Sequence, residues 1–218
     1  MCGRFTQHFT WKELVELYNL TRLDNAPNLQ PRSDIRPTTD IVIVREKDED
    51  REAATVRWWL VPPWAKELSQ KYAMFNARAE TLTQRKAFAG PFKKRRCLIP
   101  ASGFYEWKDE GGPRKTRYYI TSKSGQPLTF AGLWEHNPHL ELDSCTIIVT
   151  EPNALMAEIH DRMPVILPPE AHDVWLTEPR EDLLQPAPDG DLIAYPVAPD
   201  IQDDDTVSRL QPPKGQAS

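Results

Sequence analysis

The opening residues, MCGRFTQ, put a cysteine directly behind Met1. Loss of Met1 would expose a free α-amine and a free thiol on neighbouring carbons of Cys2, a pair that no internal residue can offer. Their ordinary pKa values are about 7.7–8.0 and about 8.5, so part of each group is nucleophilic near neutral pH. Such an aminothiol has one distinctive partner, an aldehyde. The amine condenses to an imine, the thiol adds to the imine carbon, and a thiazolidine ring closes with the advantage of intramolecularity. Gly3 gives the backbone freedom to bring that terminus against another group. The plainer alternative is that position 2 merely tolerates a small residue.

Four further segments carry candidate chemistry. MFNARAETL sets Asn76, Arg78 and Glu80 on one face of an extended segment. An amide there can hold an oxygen or an amine, and a guanidinium can grip a phosphate through two bonds; a surface strand leading into a helix has the same pattern. ASGFYEWK places Glu106 among Phe104, Tyr105 and Trp107. Desolvation would raise its pKa toward the range useful for proton transfer, and an alternating strand with Glu106 facing water fits equally well. EIHDRMPVIL carries His160, Asp161 and Arg162. Histidine moves protons near neutrality, although a lone histidine is more often structural. WWLVPPWA supplies Trp58, Trp59 and Trp64 beside two prolines, a rigid edge able to stack on bases or wedge between them; core packing accounts for one of the first two.

The elements that must position these residues are short. TWKELVELYNL predicts a helix, with Thr10 and Glu13 as a capping box and Trp11, Leu14, Val15 and Tyr18 on one face. LDNAPNLQPRSDIRPTT reads as a proline-rich loop. DIVIVRE, AATVRWWL, RRCLIPASGFYEW, TRYYITS, PLTFAGLWE and CTIIVT read as strands, and SKSGQP as a hairpin turn. AETLTQRKAF predicts a short helix ending near Gly90-Pro91. EPNALMAEIH and PPEAHDVWL predict two more, with proline near their starts. Many short strands with a few helices imply an α+β fold: a single domain with a mainly antiparallel barrel-like or sandwich core and peripheral helices. The domain is expected over 1–200, followed by an acidic, flexible tail over 201–218.

Composition narrows the function classes. There are 21 prolines in 218 residues, about twice the usual share of roughly 5%, which suits short strands and rigid loops. No apolar run reaches membrane-spanning length, and RFTQHFTWKEL lacks a signal-peptide core, so a cytoplasmic, non-membrane protein is expected. Cys2, Cys97 and Cys145 are too few and too widely spaced for a disulfide framework or a zinc set. Cys97 and Cys145 are expected as inert core residues. No metal or cofactor is implied. The net charge of −5 is unevenly spread: residues 71–118 carry twelve basic side chains against four acidic, whereas 169–218 carry three against eleven. A local basic field can hold a polyanion on an acidic chain, although two solvated faces of opposite sign would look the same.

Taken together, MCGRF, WWLVPPWA, NARAET, RRCLIPASGFYEW, AGLWE and IHDRMPVIL resemble, in order and approximate spacing, the SOS-response-associated peptidase family, the abasic-site processing proteins. The resemblance runs from Met1 to about Leu167, more loosely to Tyr195. It implies recognition of abasic sites in single-stranded DNA and a thiazolidine crosslink between Cys2 and the C1′ of the lesion, shielding it during the damage response. It also implies self-cleavage before the cysteine, and lyase-like or reversal chemistry. By motif, Cys2, Asn76, Glu106 and His160 are the expected catalytic set. Asn76 would hold the amine or the sugar, Glu106 would assist Schiff-base formation, and His160 would open the cyclic sugar. Arg4, Arg78, Arg85 and Thr150 are expected at the DNA, with Pro37 and Trp64 limiting its path. The implied partners are single-stranded abasic DNA and fork-like junctions, with the protein a monomer. The chain departs from the family pattern at Asp34, where Asn is usual, at Trp59, where Gly is usual, and in the acidic segment IQDDDTVSRL.

Two other readings stay open on the residues alone. An N-terminal-nucleophile glutamine amidotransferase also opens with MCG, using the thiol against an amide and the α-amine as base; that family's later Asn-Gly and Gly-Asp signatures are missing here. A non-covalent single-stranded DNA binder would need the basic stretch and tryptophans but not Cys2.

Overall fold

A computed structural model describes residues 2–24, 26–69 and 74–197. The acidic segment 201–218 lies outside them. Twelve strands and four α-helices alternate along the described chain. Five strands close on themselves: β3 (Asp40–Lys47), β4 (Asp50–Trp58), β6 (Arg96–Ala101), β9 (Leu128–Asn137) and β10 (Leu142–Thr150) pair in the circuit β10-β4-β3-β6-β9-β10. All these pairings are antiparallel except β4 with β10. Two short strands extend β10 beyond the circuit. β5 (Asn76–Arg78) runs parallel to Ile147–Val149, and β11 (Met163–Pro164) pairs with Val149 and Thr150. A second, open antiparallel sheet has the order β12-β8-β7-β1-β2, from β12 (Leu192–Val197), β8 (Thr116–Ser122), β7 (Gly103–Lys108), β1 (Phe5–Gln7) and β2 (Arg32–Ile35).

The period-2 alternation of the barrel strands sorts their side chains into two apolar layers. Ile41, Ile43, Ile99, Phe130, Ile147 and Val149 join Phe5, Ile35, Phe104 and Ile120 of the open sheet in one buried cluster. Val44, Leu98, Ala131, Leu133 and Ile148 form the other, roofed by helices. These are α1 (Trp11–Tyr18), α2 (Lys86–Lys94) and α4 (His172–Thr177), which bring Leu14 and Tyr18, Phe88 and Phe92, and Trp175 and Leu176. The remaining helix, α3 (Ala154–Ala157), is a single turn capped by Asn153. The expected single-domain α+β architecture with a barrel-like antiparallel core is the one observed.

Several elements differ from expectation for identifiable reasons. RRCLIPASGFYEW is two strands in two sheets, β6 and β7, with the chain crossing over at Ser102. The hinge is pinned there: Ser102 N–H donates to the Thr6 carbonyl at 2.9 Å, and Thr121 Oγ1 donates to the Ser102 carbonyl at 2.8 Å. Gly103 is required for the crossing. A Cβ at that position would lie 2.4 Å from the Tyr119 ring and 2.7 Å from the Ile120 carbonyl. AETLTQRKAF is not one helix. Ala79–Thr81 makes a 3-10 turn, and α2 starts at Lys86 and runs through Gly90-Pro91. A proline inside a helix costs about 3 kcal/mol; burial of Phe88, Pro91 and Phe92 against the barrel offsets it. The proline-rich segment contains β2, whose partner β1 was not legible as a strand at three residues. The capping box of α1 forms as expected, with Thr10 N–H donating to Glu13 Oε2 at 2.8 Å.

Candidate active site

Cys2 is fully buried, three residues before the start of β1, within the cluster that contains Phe5, Trp58, Phe104, Ile147 and Met163. Burial pushes the Cys2 thiol well above the usual thiol range, and the charge of Glu106 adds to the rise. The thiol is therefore held protonated, within the field of the Glu106 carboxyl. Cys97 and Cys145 are likewise buried, in β6 and β10, as expected of core residues.

Glu106 stands in the middle of β7, opposite Tyr118 of β8. On the other edge, Tyr105 N–H donates to the Arg4 carbonyl at 2.9 Å, which ties the segment just after Cys2 to the residue just before Glu106. The Glu106 side chain is 3% exposed. Desolvation raises its pKa to about 7, with the nearby charge of Asp161 acting in the same direction. Of the two readings left open by the flanking aromatics, the desolvated carboxylate is the one the fold adopts.

His160 follows α3 in the loop that leads into β11, and its Nε2 lies 3.9 Å from Glu106 Oε2. Its Nδ1 has two neighbours, the Arg162 N–H at 3.0 Å and Asp161 Oδ1 at 2.9 Å. In the neutral ring only one of these bonds can form. Accepting from Arg162 N–H leaves the proton on Nε2, facing Glu106. Burial lowers the His160 pKa, which favours this neutral ring near pH 7.

The His160 loop is lashed to the Asn76 segment by an ion pair between Arg162 and Glu80. That pair spans 82 positions and left no trace in local sequence pattern. Asn76 begins β5 and is buried; its Nδ2 donates to the Phe75 carbonyl at 3.1 Å, and its Oδ1 has no hydrogen-bond partner among the described residues. A buried amide oxygen without a donor has full capacity to accept one from a bound group. Asn76 and Arg78 lie in an extended segment as read from the sequence; Glu80 falls in the 3-10 turn beyond it.

The residues expected at DNA are dispersed around this point. Arg78 is exposed on β5. Arg4 reaches Asp34 of β2, Nε to Oδ1 at 2.8 Å, with its guanidinium 5.3 Å from the centre of the Trp107 ring. Pro37 is half-buried in the turn between β2 and β3. Trp64 is 47% exposed, with Lys86 Nζ 4.7 Å from its ring centre. Trp64 and Arg85 line a cleft of about 460 Å³ between the loop after β4 and the start of α2. Thr150 is buried and its hydroxyl donates to the Leu184 carbonyl at 3.3 Å. Trp58 is core, its indole N–H donating to the Phe75 carbonyl, whereas Trp59 is half-buried against Phe75. The basic stretch is less open than its composition suggests. Arg96 is buried, donating to the carbonyls of Phe92, Trp175 and Leu176, and Arg95 pairs with Glu135 at 2.6 Å. Among the described residues no helix is long and apolar enough to cross a membrane.

Comparison with known proteins adds to this geometry. The sequence profile of the family described as SOS response associated peptidase (SRAP) matches residues 1–204. The abasic site processing protein YoqW of Bacillus subtilis is 39% identical over 210 residues, covering 91% of this chain and 92% of that protein. The abasic site processing protein YedK of Escherichia coli is 29% identical over 185 residues, covering 82% and 80%. A crystal structure of a protein from Bordetella bronchiseptica superposes with a TM-score of 0.77 at 29% identity, covering 90% of this chain and all of the other. The chain belongs to the SOS response associated peptidase family.

Proposed function

We propose that this protein processes abasic sites in DNA by capturing the lesion on Cys2. The observation that carries the reading is the buried Glu106 carboxyl, raised to about 7, with the His160 ring 3.9 Å from it and its charge acting on the buried Cys2 thiol. The names of its relatives as abasic site processing proteins support the substrate class.

The residues divide the chemistry as follows. An abasic deoxyribose is mostly a closed hemiacetal, so the aldehyde must first be released. Neutral His160, with its Nε2 proton toward Glu106, donates to the ring oxygen as the C1′–O bond breaks, while Glu106 takes the proton of the anomeric hydroxyl and returns it to His160 Nε2. The Cys2 α-amine, freed by removal of Met1, adds to C1′. Glu106 relays the protons that turn the carbinolamine oxygen into leaving water and give the imine. The Asn76 amide oxygen accepts from the attacking nitrogen and orients it. The thiol then adds to the imine carbon: sulfur bonds to C1′, the S–H proton passes to Glu106, and the imine nitrogen takes up a proton. One water is lost overall, and the product is a thiazolidine. A thiol held protonated until this step cannot compete with the amine for the aldehyde. Met1 is removed by the protein itself, in keeping with the peptidase in the family description, or by an aminopeptidase. The strand is single, with Arg4, Arg78 and Arg85 on phosphates and Trp64 and Pro37 bounding its path.

The test is incubation with an abasic single-stranded oligonucleotide, then denaturing electrophoresis. A heat- and detergent-resistant adduct is expected with the lesion, none with intact DNA, and none after the aldehyde is reduced with borohydride. A Cys2→Ser protein that yields an equally durable adduct would overturn the thiazolidine.

A further inference from the structure

Asp34 sits where it competes for the cations that DNA would use. It lies on β2, beside β1, and its carboxylate accepts from two guanidinium groups at once. Arg4 Nε reaches Oδ1 at 2.8 Å, and Arg36 reaches Oδ2 through Nη2 at 2.6 Å and Nε at 2.9 Å. The Arg4 side chain is 16% exposed and is covered on one side by Trp107 of β7. Its backbone carbonyl is bonded to the residue preceding Glu106. The arrangement therefore stands at the edge of the candidate site, not on a remote face. An anionic group held between two arginines has the charge and bonding geometry of a bound phosphate oxygen pair.

We infer that Asp34 is an internal phosphate mimic that sets the protein's affinity for undamaged single-stranded nucleic acid low. A backbone phosphate approaching Arg4 must share or displace this carboxylate, so that contact gains less than an open arginine would give. The consequence for a covalent trap is useful. Weak reversible binding lets the protein leave intact strands, while capture at an aldehyde is retained by a bond and needs no tight ground state. This inference deepens the proposed function and rests on Arg4 facing DNA phosphate.

The experiment measures non-covalent binding of the full chain to an intact single-stranded oligonucleotide across a salt series. Asp34→Asn should bind several-fold more tightly, with a steeper dependence of log K on log salt by about one contact. Asp34→Glu, which keeps the charge, should stay near wild type. The gain should vanish in the Arg4→Gln background, where no guanidinium remains for Asp34 to occupy at that place. Equal or weaker binding by Asp34→Asn, or a gain that persists without Arg4, overturns the inference. No binding by wild type or by Asp34→Asn even at low salt, together with no adduct on an abasic strand, removes the nucleic-acid reading itself. Retained wild-type binding with no response to Asp34→Asn removes only the role of Asp34.

Discussion

At the residue scale, the proposed chemistry rests on two groups moved from their ordinary protonation behaviour in opposite ways. Glu106 titrates near 7 because its charged form is desolvated. As the acceptor of the thiol proton it must be ionised, so capture should quicken as pH rises through about 7 and level off above it. Glu106→Gln should slow single-turnover capture by roughly 10²-fold, a typical size for one general acid–base group, and flatten that rise. A Glu106→Gln protein with an unchanged pH profile would show that the limb belongs to another group. His160 is pushed down by burial and stays neutral across the same range. His160→Ala should slow capture by about tenfold or more while affinity for abasic DNA changes little; equal losses in both would make it a binding residue. The residue types were legible in sequence, but their arrangement was not. The aromatic flanks of Glu106 left burial and exposure equally open, and nothing local announced that His160 would arrive within 3.9 Å of it from 54 residues away.

At the scale of elements, the site depends on how one segment leaves the barrel. RRCLIPASGFYEW reads as a single apolar strand because burial on both faces hides where it changes sheets. The change occurs at Ser102-Gly103, and it sets Glu106 on a different sheet from β6. Gly103→Ala should therefore harm both stability and capture. The added methyl meets the Tyr119 ring and a fixed carbonyl, and overpacking of this kind costs about 1–3 kcal/mol. Urea denaturation should show the loss, and capture rate should fall with it because β7 shifts. A variant as stable and as fast as wild type would mean that the crossing can adjust. The helices show what local pattern can and cannot give. The α1 capping box was readable to the residue, whereas α2 was misplaced because tertiary burial of Phe92 outweighs the helix-breaking signal of Pro91.

At the scale of the whole molecule, charge is the property that sequence composition describes least well. The stretch 71–118 has a net excess of basic residues, yet folding assigns its members different work. Arg96 satisfies three backbone carbonyls in the interior, and Arg85 stands at the open cleft beside Trp64. Arg96→Gln should lower the melting temperature clearly, since it strips charge-assisted hydrogen bonds from buried carbonyls. Arg85→Gln should leave stability nearly unchanged and weaken DNA binding with a shallower salt slope. The reverse assignment, a salt-slope change from Arg96 alone, would contradict the placement of the basic field. The composition left an anion-binding face and two solvated faces equally open, and only the fold separates the arginines that hold the core from those left at the surface.

The most direct measurement is the intact mass of the purified protein, before and after reaction with an abasic oligonucleotide, under denaturing conditions. The account predicts a chain lacking Met1. After reaction it predicts a single new species heavier by the mass of the oligonucleotide less one water. Active protein that still carries Met1, or abasic strands that separate from the denatured chain without adding mass, would contradict it.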